Sequence, residues 1–145
     1  MVDRHGSFVW YELLTTDMAA AATFYANVVG WSAQDASTPD LAYTLFTTGS
    51  ISVGGLMGLP EDARKMGATP RWMGYVGVND VDAAAERIER LGGAVYVRPT
   101  NSNIGRISVV ADPQTATLAL VEGLKASRST AVDRSGRTEA GADRD

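Results

Sequence analysis

A chain of 145 residues, 45% hydrophobic and 21% charged, has the size and make-up of one soluble globular domain with a true apolar core. The absence of cysteine excludes disulfides, a thiolate nucleophile and Cys-based zinc, and makes the cytoplasm the expected compartment. A net charge of −4 without a basic stripe, no apolar run of the roughly 20 residues that span a bilayer, and no leader-like layout in residues 1–6 argue against nucleic acid, membrane and export.

Phe8–Thr15 alternates aromatic, aliphatic and one acidic residue, which predicts a strand. Asp17 is a good N-cap for a helix over Met18–Val29, where Phe24, Tyr25, Val28 and Val29 recur at helical spacing and Gly30 stops the run. Leu41–Thr48 and Ile51–Leu56 follow as strands about a Gly49-Ser50 turn. The polar stretch from Pro60 to Pro70 is a linker. Then come a strand over Trp72–Val78, a helix over Val81–Leu91 capped by Asp80, and strands over Ala94–Arg98, Arg106–Ala111 and Ala116–Val121. Asp112-Pro113 opens the last turn. Beyond Glu122 large apolar residues nearly vanish and the charge balance changes from −5 over residues 1–122 to +1 over 123–145. Such a tail cannot offset its ordering entropy by burial, so it is expected to be disordered and carries no assigned activity.

The chain also repeats itself. Asp17 opens a stretch that closes on Gly30, Asp80 one that closes on Gly93, and the two copies are offset by 63 residues throughout. Two βαβββ modules, about residues 7–60 and 70–122, would form one α+β domain over residues 1–122. Each sheet would be covered on one face by its helix, and the two curved sheets would enclose a cup.

The run from Trp10 to Asp17, with Phe24-Tyr25 and Gly30-Trp31, resembles the opening of the glyoxalase/bleomycin-resistance/dioxygenase proteins, the vicinal oxygen chelate superfamily. Val78-Asn79-Asp80-Val81-Asp82-Ala83, Leu91-Gly92-Gly93, and Gly105-Arg106 leading to Asp112-Pro113-Gln114 continue the likeness through residues 7–122. The family spans isomerases, ring-cleaving dioxygenases, epoxide-opening transferases, epimerases and proteins that only sequester antibiotics, and the likeness implies a homodimer. Its metal-binding members use His, Gln or Glu at four inward strand positions. Here those positions fall on Trp10, Met73, Leu56 and Ala119, none a useful ligand for a divalent metal, so no metal and no cofactor is expected. The single histidine, His5, lies outside the first strand and is expected to be a solvated terminal residue.

Strand alternation then predicts what lines the cup. If Trp10 faces inward, so do Glu12 and Leu14; Met73, Tyr75 and Gly77 follow on the fifth strand, with Trp72, Val76 and Val78 packed under the helix. The last strands would contribute Gly54, Leu56 and Gly58, and Thr117, Ala119 and Val121. Gly54-Gly55 and Gly58 suggest close backbone approach, since no phosphate-loop pattern occurs. The lining is apolar apart from Glu12 and Tyr75, which are themselves 63 apart. A carboxylate among apolar groups is a candidate general base, its pKa raised by desolvation, and Tyr75 could polarise a substrate oxygen. Against that, Glu12 could brace the sheet through Arg106, Tyr43 or a backbone group, and Tyr75 and Trp10 could be plain packing residues. Trp10, Leu56, Met73, Ala119, Tyr43 and Arg106 are the candidate ligand contacts, although for Arg106 an exposed ion pair is the favoured reading over a rim contact with an anionic ligand.

Three functions fit. The preferred one is a metal-independent isomerase- or lyase-type enzyme for a small apolar or aromatic molecule. The alternatives are a protein that sequesters such a compound, and a dimerisation module whose cup is filled by its own side chains.

Overall fold

The computed structural model describes residues 5–124, so the tail expected to be disordered lies, from residue 125 on, outside the described residues. The chain divides into two compact units, one running from Tyr11 to Trp72 and the other made of the residues up to Trp10 with those from Met73.

The first module contains β1 (Phe8–Thr15), α1 (Met18–Val29), β2 (Ser32–Asp35), β3 (Tyr43–Thr48) and β4 (Ile51–Gly58). A short α2 (Glu61–Lys65) follows. The second module contains β5 (Arg71–Gly77), α3 (Val81–Arg90), β6 (Ala94–Ser102), β7 (Gly105–Ala111) and β8 (Thr117–Glu122). Both are βαβββ, as the repeat predicts, and the body is α+β. Strand order is β2-β3-β4-β1 in one and β5-β8-β7-β6 in the other. In each the first strand lies parallel to the last, β1 to β4 and β5 to β8, while the remaining pairs are antiparallel. The helix is the crossover that a parallel pairing requires.

Local chemistry explains the helices. Asp17 accepts from the Ala20 N–H at 2.9 Å and Asp80 from the Ala83 N–H at 3.0 Å, each satisfying a donor that the first turn leaves orphaned. Gly30 ends α1 in the left-handed region, φ 77°, where a side chain would be strained. Under α1, Leu13, Phe46 and Leu56 form a buried cluster to which Met18, Ala21, Ala22, Tyr25, Trp31 and Val53 add partly buried surface. Under α3 the matching cluster is Val81, Val110 and Leu120 with Val76, Val78, Ile88 and Leu118 among its neighbours. Dry apolar contact of this kind holds helix to sheet.

Several boundaries differ from expectation. β2 is exposed along its length and polar, so it lacks an apolar alternation to announce it. α2 is one turn inside the expected linker, too short for a periodic pattern. β6 runs on to Ser102 past Pro99, because it is the last strand in the order, where a residue without an N–H is tolerated; its register breaks between Val97 and Thr100. The last turn is as predicted: Asp112 Oδ1 accepts from Gln114 and Ala116 N–H groups at 2.9 and 3.0 Å.

Candidate functional site

Glu12 sits in the middle of β1 and is 3% exposed. Its register partner on β4 is Gly55, whose own partner on β3 is Leu45. Two residues along, Tyr43 pairs with Met57 and Leu14 with Met57. Partners in register share a face, so Glu12, Leu14, Tyr43, Leu45, Gly55 and Met57 occupy the side of this sheet turned away from α1. The buried Tyr43 hydroxyl donates to Glu12 Oε2 at 2.6 Å. Gly55 makes that bond possible: a Cβ there would fall on the Tyr43 hydroxyl. One strand thus carries an acid, the next a glycine, and the third a phenol that reaches across the gap.

The register corrects one expected contact. Leu56 lies under α1 with Leu13 and Phe46, on the opposite side from Glu12. The 63-residue offset holds from Asp17 to Asp80 but becomes 64 on the last strand, since Glu12 pairs with Gly55 and Tyr75 with Ala119. A slip of one residue turns every side chain of a strand to the other face. Gly54 and Gly58 move with Leu56, and Gly55 and Met57 replace them. The close approach expected of the glycines is found at Gly54 too, where a Cβ would lie 2.9 Å from the Tyr11 carbonyl oxygen, but not at Gly58, where a Cβ would meet nothing within 4 Å.

In the second module Tyr75 is buried beside Ala119, on the side of the sheet away from α3, while Val76 and its partner Leu120 face the helix. Met73 and Trp10 are buried as well. At the places of Gly55 and Tyr43 this module has Ala119 and Ile107, so the acid–phenol pair has no duplicate.

Arg106 stands elsewhere. Its Nε and Nη2 donate to the two carboxylate oxygens of Asp82 at 2.9 and 3.0 Å, and Nη1 donates to Asn101 at 3.2 Å. The Arg106 guanidinium holds the Asp82 carboxyl below its usual range, and Asp82 in turn raises Arg106. The register partner of Arg106 is Glu122, whose carboxylate accepts from the Val81 N–H at the start of α3. Arg106 therefore belongs to the helix side of its sheet and not with Tyr75 and Ala119, a correction to its expected place among ligand contacts. The ion pair weighed against that role is the one formed.

One further correction concerns Trp72. Trp72 does not pack under α3: its indole N–H donates to the Tyr25 hydroxyl at 3.1 Å, and it joins Tyr25, Trp31 and Phe46 in an aromatic cluster with centroids 5.1 to 6.2 Å apart. Phe24-Tyr25 and Gly30-Trp31 were visible as a motif, but the tertiary partner was not. His5 is exposed, as expected, yet its Nδ1 accepts from the Asn79 N–H at 3.0 Å.

The donor sets do not suit a metal. The positions that the family likeness points to hold indole, thioether and hydrocarbon, and replacing Leu56 by Gly55 adds no donor. Asp80, Asp82 and Glu122 do converge within 4.8 Å. Each is already engaged, Asp80 by the Ala83 N–H, Asp82 by Arg106 and Glu122 by the Val81 N–H.

The family model for the glyoxalase/bleomycin resistance protein/dioxygenase superfamily matches residues 7–120. CFP32 of Mycobacterium bovis, a glyoxylase in name, is 31% identical over 136 residues, which cover 92% of this chain and 52% of that protein. The anthracycline biosynthesis protein DauV of Streptomyces sp. strain C5 is 33% identical over 129 residues, 79% of this chain and 46% of its own length. The chain thus spans about half the length of the curated relatives it matches. Among solved structures, methylmalonyl-CoA epimerase from Mycobacterium tuberculosis superposes with a TM-score of 0.59 at 18% identity, over 87% of this chain and 95% of that one. That likeness is one of fold.

Proposed function

Since the chain belongs to the glyoxalase/bleomycin resistance protein/dioxygenase superfamily, we propose that it binds a small, largely apolar or aromatic organic molecule and moves a proton on it without a metal, with Glu12 as general base. The observation that carries this is a carboxylate 3% exposed, on an apolar face, hydrogen-bonded to a phenol. Burying an acid is costly, and a site for proton transfer is one reason to keep it. The step is an isomerase- or lyase-type one: Glu12 takes a proton from an activated carbon and either returns it to another atom of the same molecule, or passes it to the group that departs as the neighbouring bond breaks and the new double bond forms, which restores the carboxylate in both cases. Tyr75 holds the oxygen on which charge develops. Trp10, Met73 and Ala119 supply apolar contact. The relatives named for anthracycline biosynthesis support a ring-bearing ligand. The lack of cysteine supports a cytoplasmic setting, and the protein acts as a homodimer.

One observation favours a second reading, sequestration of the same kind of compound without turnover. Tyr43 already donates to Glu12, as it would if the acid only braced the sheet. Thermal-shift screening of ring-bearing compounds, with and without chelator, identifies a ligand; at 100 times its Kd a ligand adds about 2.7 kcal/mol. The hit is then incubated with wild-type protein and with Glu12→Gln, and its conversion followed by mass-neutral methods such as NMR. Turnover by the wild type that collapses in the variant supports the enzyme. Binding retained by both, with no conversion by either, replaces it with sequestration.

A further inference from the structure

Tyr43 holds Glu12, and a serine earlier in the same loop holds Tyr43. The β2–β3 ladder ends at the pair Asp35↔Thr44, so Tyr43 stands one residue beyond the reach of β2. A strand residue whose neighbour has ended leaves its backbone N–H and C=O to find other partners. Ser37 takes the neighbour's place. Its Oγ accepts from the Tyr43 N–H at 3.0 Å and donates to the Tyr43 carbonyl at 3.3 Å. That carbonyl also accepts from the Ala36 N–H at 2.9 Å. Ser37 is fixed in turn, because Asp35 Oδ1 accepts from the Ser37 N–H at 2.9 Å, the turn that an aspartate makes with the backbone two residues on. A run of hydrogen bonds thus leads from Asp35 through Ser37 and Tyr43 to Glu12, all within the unit from Tyr11 to Trp72.

We infer that Ser37 is a positioning residue for Glu12, acting through the Tyr43 phenol; the inference rests on the reading of Glu12 as a general base. A base has to be ionised to take a proton, and a hydrogen bond donated to the charged form favours that form. The Tyr43 hydroxyl makes such a bond at 2.6 Å, and short charge-assisted bonds weaken steeply as donor and acceptor part. The phenol is a rigid arm laid across Gly55, so a small rotation of the backbone at 43 becomes a larger shift of the hydroxyl at its far end. Ser37 restrains that rotation. Its hydroxyl both accepts and donates, as the Tyr43 N–H and C=O together require, and a methyl group does neither. The groups that share Glu12's face are Tyr43 from β3, Gly55 and Met57 from β4, and Trp10 and Leu14 along β1; of these only Tyr43 titrates. Tyr75, the other phenol assigned to the site, belongs to the second module.

The test follows the ionisation of Glu12 in the full chain by NMR of carboxyl-labelled glutamate, the Glu12 signal being the one lost in Glu12→Gln. Wild type is compared with Ser37→Ala, Ser37→Thr and Tyr43→Phe. Ser37 is exposed, so the loop has room for either change. Tyr43→Phe is expected to weaken Glu12 as an acid at least about tenfold, one pH unit upward, because the donor to the charged form is gone. Ser37→Ala is expected to give at least about threefold in the same direction, since the donor stays but is held loosely. Ser37→Thr keeps the hydroxyl and should titrate as wild type. A raised midpoint keeps Glu12 protonated to higher pH, so the acid side of any turnover profile moves up with it. A Ser37→Ala midpoint equal to wild type, with Tyr43→Phe shifted, overturns the role of Ser37 and leaves the acid–phenol pair. Equal shifts in Ser37→Ala and Ser37→Thr overturn it too, because the hydroxyl is then not what matters. A Glu12 signal that behaves alike in all the proteins overturns the whole chain of contacts. The general-base reading fails by a different result, a ligand converted as fast by Glu12→Gln as by wild type.

Discussion

Gly55 has no side chain, yet it decides where two others go. The Tyr43 ring leans over it to place its hydroxyl on Glu12, and any Cβ at 55 would occupy that hydroxyl's position. Gly55→Ala therefore has to displace a buried ring, and overpacking of this sort costs about 1–3 kcal/mol. Tyr43→Phe removes the donor and leaves the volume; a buried carboxylate that loses a hydrogen bond costs about 1–3 kcal/mol as well. Both are read from urea midpoints at constant m-value. Should Gly55→Ala unfold at the wild-type midpoint, the ring has room that the register denies it, and Glu12 is not held as described. Glu12 itself was legible in the sequence, because counting by twos from Trp10 needs only one strand. Tyr43 was legible as one of several partners. Gly55 was hidden behind Leu56, since the single residue by which the modules differ in length leaves no mark in either half.

Helices and their caps were the most legible elements, and they carry the clearest dependence on pH. Asp80 caps α3, Asp82 lies in its first turn, and Arg106 reaches Asp82 from β7 with two hydrogen bonds. The Asp82 carboxyl is depressed below its ordinary 3.8, first by its hydrogen bond to Arg106 and then by that guanidinium's charge. A depressed carboxyl contributes stability that is fully present above the unfolded value and is lost as pH falls through the folded one. Acid unfolding should accordingly show a limb below about pH 4 that Asp82→Asn flattens, while the two proteins converge at the lowest pH. The pair is exposed, so the limb is small and shrinks further in salt. A limb of full height in Asp82→Asn, followed by circular dichroism at low ionic strength, would assign it to another acid. β2 and α2 escaped the sequence for the opposite reason: each is short and exposed, and burial is what writes periodicity into a sequence.

For the molecule as a whole the question is whether a cation takes any part in holding or using the fold. Each module has the topology in which relatives differ widely in chemistry, so topology alone does not answer. The donors do. Trp10 and Met73 on the first strands, and Gly55 and Ala119 on the last, offer no oxygen or imidazole nitrogen, and Glu12 is engaged by Tyr43. Asp80, Asp82 and Glu122 approach one another, but a cation would have to displace Arg106 and two backbone N–H groups, losing a bidentate pair and two helix-start contacts. Neither chelator nor millimolar zinc, manganese or magnesium should therefore move the melting temperature by more than about 1 °C, where a cation bound at 100 times its Kd would add about 2.7 kcal/mol. The comparison is differential scanning calorimetry of protein as purified, after chelation, and after each ion is returned. A loss on chelation that one ion restores would place a metal among the groups that hold this fold, and general-base chemistry at Glu12 would then have to be rebuilt around it. Arg106→Gln sharpens the same measurement: with the guanidinium gone the three acids lose their counter-charge, and any weak response to divalent ions should appear there first.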